Sequence, residues 1–300
     1  MIHAPLARIA GVLLASLATF PSLGATLERG PIVVEYTQGN ESLALETMEE
    51  LHTGLTRYGL RLPAGEAPVH VTICATIEEF EALSGGVPAM RVLGFARSEE
   101  GIIVLKAPAL LGPDSSYAAV VRHELLHVLL ARNADPDNLP RWLNEGIAMI
   151  LSRENRWSST FTMARMYTGG RIIPYADLPH VFNAPGNETV FGEAYVQSLS
   201  MTRYLQSELG QERFWVVVGD LRSSTFEEAL TRGIGVSPEA FFETWRDSLW
   251  RTALIASLIT GISVFQIGAL LLVLAYLRKR MRNRKLMRAW NEDEDSGWTD

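Results

Sequence analysis

Residues 123–127 read His-Glu-Leu-Leu-His inside an apolar run, Tyr117 to Ala131, that contains neither Gly nor Pro. Such a run predicts a buried helix, and three ionisable side chains inside it are costly to bury without a partner. On a helix His123 and His127 lie one turn apart on one face, where two neutral imidazoles can share a Zn²⁺ ion. Eighteen positions beyond His127 stands Glu145, in Trp-Leu-Asn-Glu-Gly (142–146), whose carboxylate offers a third ligand. A fourth position is then left for water, as a catalytic zinc requires. Glu124, beside the first His, is placed to act as general base. The alternative is a structural His pair satisfied by hydrogen bonds.

The second motif has its own helical signal. Pro140 stands at a helix start, and apolar residues recur down one face through Leu151. Glu145 therefore lies on a helix that follows a loop rich in Asn, Asp and Pro (133–138), and Gly146 and Ala148 are small enough for close helix contact.

His123-Glu124-x-x-His127 followed by Trp142-Leu143-Asn144-Glu145-Gly146 resembles the gluzincin branch of zinc metallopeptidases, most closely the peptidase MA-like domains, and shares its Trp-Leu-Asn-Glu-Gly string with the M1 aminopeptidases. The likeness covers most of residues 26–250. It implies an α+β, thermolysin-like zincin fold: a small sheet, active-site helices and a C-terminal helical part. It also implies one Zn²⁺ per chain on His123, His127 and Glu145, with Glu124 as the catalytic base. Tyr195, on the helical stretch Phe191 to Leu205, resembles the assisting tyrosine of related gluzincins; the same residue also reads as a packed core Tyr.

Two departures narrow the implied activity. The Gly-x-Met-x-Asn string by which the aminopeptidases hold a free amino end is absent, and the gap between His127 and Glu145 is one residue short of theirs. An endopeptidase acting on a protein or peptide substrate is the expectation. The alternatives are a zincin-fold binding or regulatory module without turnover, and a hydrolase of non-peptide amides in the cell envelope.

Ahead of the zinc helix, strands are expected at 31–36, 69–74 and 101–106, with a helix from about Glu41 to Tyr58. The resemblance makes residues 102–105 a sheet edge that could pair with an extended peptide; a core strand is the other reading. No carboxylate stands four residues after Glu145, where Met149 is found, and candidates such as Glu193 or Asp177 have no spacing argument that makes them support a zinc histidine.

Two apolar segments set the expected address. Residues 1–25 read as a secretory signal peptide, with Arg8 ahead of an apolar run to Phe20 and small residues near Gly24-Ala25. Residues 253–277 carry no charge and are long enough for a transmembrane helix. Trp245 and Trp250 precede it as interfacial aromatics, and seven basic residues lie in 278–288, the mark of a cytoplasmic side. The expected organisation is a signal peptide (1–25), an extracytoplasmic catalytic domain (26–252), one span (253–277) and a cytoplasmic tail (278–300). That is a type I protein of the cytoplasmic membrane, working beside the lipid bilayer. Nucleic acid is not an expected partner, because 27 basic residues face 34 acidic ones and the only basic cluster abuts the span. Nothing in the sequence sets an oligomeric state. Cys74 is the single cysteine, so an internal disulfide and a thiolate-rich metal site are both excluded.

Overall fold

The computed structural model describes residues 24–84, 92–112, 115–153, 156–183 and 188–296, with the side chains of 156–158, 183, 259–264 and 285–296 left aside. The expected signal peptide falls almost wholly on 1–23, outside the described residues. By its contacts the chain divides after Asn133 into two compact units. The class is mixed α and β, as expected.

The first unit contains a five-stranded sheet in the order β1-β2-β3-β5-β4. β1 (Ala25–Arg29) and β2 (Ile32–Tyr36) form an antiparallel hairpin, and α1 (Glu41–Tyr58) then crosses to β3 (Val69–Cys74), parallel to β2. After α2 (Ile77–Ser84), the short β4 (Gly94–Arg97) runs antiparallel to β5 (Ile102–Lys106), which pairs in parallel with β3. Ile32, Val34, Val69, Val71, Ile103 and Leu105 are all fully buried. On the opposite face of β5, Val104 joins Cys74 and Phe80 in a second apolar cluster. A strand buried on both faces reads as a continuous apolar run, which is why Ile-Ile-Val-Leu shows no alternation.

This topology corrects one expectation. Residues 102–105 do not form the sheet edge; β5 is interior, between β3 and β4. Among the described residues the edge on that side is β4, a four-residue strand whose Gly, Ala and Arg give it little β character in the sequence.

The helix that carries His123 and His127 is α3 (Tyr117–Asn133), and neighbours within its unit fix its rotation. The Tyr117 hydroxyl and Thr47 Oγ1 share a buried 2.7 Å hydrogen bond, and Arg122 pairs with Glu50 at 2.6 Å. Leu125 fills the groove over Gly54, where a Cβ would stand 2.5 Å from Leu125 Cδ2. At the far end Arg132 donates to the carbonyls of Ala64 and Pro68, both at 2.8 Å. With these sides of α3 held against α1 and the loop before β3, the rotation of His123 and His127 about the helix axis is set.

Cys74 is buried, and desolvation pushes its thiol up to about 12. The nucleophilic thiolate is therefore scarce near neutrality. Labelling with iodoacetamide at pH 8 is expected to leave the native chain unmodified and to modify it fully in denaturant; equal rates would contradict the burial.

The second unit is helical: α4 (Arg141–Ser152), α5 (Arg156–Thr168), α6 (Leu178–Asn183), α7 (Glu188–Asp220), α8 (Phe226–Ile234) and α9 (Pro238–Ser296). α7 changes direction at Gly210, whose φ of 71° suits a residue without a side chain. α8 opens with a full capping box, Thr225 and Glu228 exchanging bonds across the first turn. Ser237 caps α9, its Oγ accepting from the Ala240 amide, as the Ser-Pro start predicts.

The expected transmembrane helix does not emerge as a separate element. Residues 253–277 are the middle of α9, continuous with its packed beginning. Among the described residues no helix is long and apolar enough to cross a membrane, and 259–264 lie outside the described side chains. The reading of Trp245 as an interfacial aromatic is also corrected. It is 1% exposed and donates through Nε1 to Ser200 Oγ, because Trp245, Leu249, Ala253 and Ala256 form one buried stripe of α9. Trp250, off that stripe, is exposed.

Candidate metal centre

α3 carries His123 and His127 one turn apart, with ring centroids 4.7 Å from each other and planes at 76°. His123 is buried and His127 half-buried. Glu145 stands on the first turns of α4, also buried. The ligand atoms of His123, His127 and Glu145 all lie within 4.8 Å of one another.

The position of Glu145 is built from Trp142. That indole stacks on Phe241 at 6.0 Å and meets Phe226 edge-on at 5.6 Å, so residues of α8 and α9 hold the first turn of α4. One turn further, Gly146 lets α7 approach closely. A Cβ there would stand 2.0 Å from Thr202 Oγ1 and 2.7 Å from the Ser198 carbonyl. Gly146→Ala is therefore expected to cost about 1–3 kcal/mol by overpacking. A lowered thermal midpoint, together with weaker metal binding through the adjoining Glu145, would show it; an unchanged midpoint would refute the contact.

Arg141, one turn before Glu145, places Nε 3.6 Å from Glu145 Oε1 and lies over the Phe182 ring at 5.2 Å. It thereby steers the carboxylate without enclosing it. The i,i+4 spacing of Arg141 and Glu145 was a legible signal for this partner.

Glu124 is buried beside His123, one residue around the helix. The edge strand reaches it at Gly94, where a Cβ would stand 3.1 Å from Glu124 Cγ and 3.1 Å from Leu105 Cδ2. Only a residue with no side chain brings β4 this near the carboxylate. No sequence pattern announced that role.

Tyr195 is half-buried on α7, edge-on to Phe182 at 5.5 Å and to Phe191 at 5.1 Å. Glu193 is buried in an ion pair with Arg171, and Asp177 is exposed at the end of a short 3₁₀ turn. Beside Glu193, Gln197 accepts from the Ile173 amide and donates to its carbonyl, fixing the segment after α5 to α7. His52, His70 and His180 are exposed, as expected of unassigned histidines.

Two imidazoles and one carboxylate make the donor set of catalytic zinc sites of the two-His, one-Glu type. Ligands about 2.0–2.1 Å from a tetrahedral ion stand roughly 3.3 Å apart, and the three candidate ligand atoms lie within 4.8 Å of one another. The residues fit the group. The sequence model of the peptidase MA superfamily matches residues 95–251, from β4 to the start of the α9 apolar segment. That is more than half of the chain, and the protein belongs to the peptidase MA superfamily, whose members are zinc-dependent. No curated protein matches the chain.

Proposed function

We propose that the protein is a membrane-anchored zinc endopeptidase. The observation that carries the reading is the convergence of His123, His127 and Glu145 within 4.8 Å, with Glu124 next to the first of them. The three side chains would hold the ion. When bound, it supplies Lewis acidity and brings the pKa of a water toward neutrality.

The chain's own groups do the rest. Glu124 takes a proton from the attacking water and delivers it to the leaving amine. Its burial keeps bulk water from competing for that proton. An extended peptide chain pairs with β4, the edge strand that Gly94 brings against Glu124. Tyr195 donates its hydroxyl proton to the developing oxyanion.

Anchoring is supported by α9 itself. Leu270, Leu271, Leu272, Val273 and Leu274 are consecutive and all exposed, so apolar side chains surround the whole helix at that level. Water disfavours such a surface and hydrocarbon accepts it. The basic run 278–288 then marks the cytoplasmic end, leaving the catalytic part outside the cytoplasm.

The test is metal content and cleavage of a peptide library by the detergent-solubilised full chain, beside carbonate extraction of its membranes. One zinc per chain, internal cleavage and resistance to extraction are expected. Zinc without cleavage would favour a non-peptide hydrolase or a binding module, and absence of zinc would overturn the central assignment.

A further inference from the structure

The buried stripe of α9 continues into the uncharged segment, and there α5 covers it. Ala253 and Ala256, the first and fourth residues of that segment, are buried in one cluster with Ala164, and Phe161 and Tyr167 pack against the cluster. Further back, Ser159, Thr160 and Met163 of α5 share a cleft with Trp245, Ser248, Leu249 and Thr252 of α9. The two helices therefore run in the same sense here, and residues 164–168 are the part of α5 nearest the apolar run. On its other faces α9 stays open at this level, with Leu254, Ile255 and Leu258 all exposed.

The length of the run gives this contact a depth. Arg278 opens the basic stretch and marks the cytoplasmic boundary of the hydrocarbon. About 20 helical residues cross a hydrocarbon core of about 30 Å, so counting back from Leu277 puts the other boundary near Leu258. At 1.5 Å per residue, Ala256 and Ala253 then stand roughly 3 and 7.5 Å outside it. The headgroup layer adds about 5–7.5 Å on each side of the core, so the contact with α5 falls within that layer. The composition of α5 suits the place. Residues 155–176 include Arg156, Arg165 and Arg171 and no carboxylate, and Arg171 is paired with Glu193. Tyr167 is half-buried, while Arg165 and Thr168 are exposed. Rings with a polar tip are enriched at the membrane–water boundary, and cations are drawn to anionic headgroups there. The chain leaves this level at once through Gly169 and Gly170, the latter at a φ of 65°.

We infer that the C-terminal turn of α5 is a second membrane contact, seated among the lipid headgroups beside α9. It fixes the face that the helical unit turns to the bilayer, which one span alone leaves free to rotate. The inference rests on the anchoring reading above, and the experiment separates the two. Single cysteines are placed in a Cys74→Ala background of the full chain, labelled with a nitroxide and reconstituted into phosphatidylcholine–phosphatidylglycerol vesicles. Power saturation then reads collisions with oxygen, which enriches in the bilayer, and with a nickel chelate confined to water. Leu271→Cys reports the span, and Ala240→Cys, exposed and roughly 20 Å before Ala253 along α9, reports open solvent. Arg165→Cys and Thr168→Cys should lose most of the nickel collisions that Ala240→Cys keeps, and Leu271→Cys nearly all of them. A shielded Leu271→Cys beside Arg165→Cys and Thr168→Cys as open as Ala240→Cys would overturn the α5 contact and leave the anchoring standing. Nickel access at Leu271→Cys equal to that at Ala240→Cys would refute the anchoring and this contact together. Protection of α5 only at high protein-to-lipid ratio, with dipolar broadening between labels, would assign the face to a second copy of the chain and overturn the lipid contact.

Discussion

Glu124→Gln is expected to remove peptide hydrolysis and leave zinc binding in place. The two carboxyl-derived groups have nearly the same size, so the buried position beside His123 keeps its packing and the 3.1 Å approach of β4 at Gly94 is undisturbed. What disappears is a group able to accept a proton from water. General acid–base catalysis contributes about 10²–10⁴-fold, and here one residue serves both halves of the transfer, so kcat should fall by at least that range. KM should change little if the substrate is held chiefly along β4. Zinc content by atomic emission and kcat on a fluorogenic peptide make the comparison. A variant that keeps the metal and its turnover would remove Glu124 from the mechanism. Loss of the metal would instead make Glu124 part of the cradle.

How far the sequence reveals this arrangement depends on the kind of interaction that sets each part. α1, β3 and α3 were legible to within a few residues, because local periodicity and a buried face coincide in them. The grouping of His123, His127 and Glu145 was legible for a similar reason: His123 and His127 are placed by one helix, and Glu145 by a motif with its own helical start. β4 was not, since Gly-Phe-Ala-Arg has too few side chains to alternate and its pairing comes from β5. The edge reading of β5 came from the family resemblance, and β4, invisible in the sequence, takes the place beyond it. Nor was the phase of α9 legible from proximity alone. Trp245 lies near the apolar segment in sequence, yet it shares a face with Leu249, Ala253 and Ala256 and turns inward. Gly94 and Gly146 matter through what another element brings to them, which a single sequence does not encode.

His127→Ala should act on affinity rather than on chemistry alone. Supporting groups around a zinc site typically account for 10–100-fold in affinity, so removing one of three direct ligands should weaken binding by more than about 100-fold. The consequence can be read without any substrate. At free zinc near 100 times the parent dissociation constant, binding stabilises the native state by about 2.7 kcal/mol, whereas a variant weakened 100-fold gains only about 0.4 kcal/mol. Zinc should therefore raise the thermal midpoint of the parent by several degrees and leave His127→Ala almost unmoved. Glu145→Gln, which keeps the α4 packing but loses the anionic ligand, should fall between them. Without zinc, parent and His127→Ala should melt close together, because His127 is only half-buried. Equal zinc-induced shifts in parent and His127→Ala would show that the ion binds elsewhere, and the grouping of His123, His127 and Glu145 would then be a structural cluster rather than a metal centre.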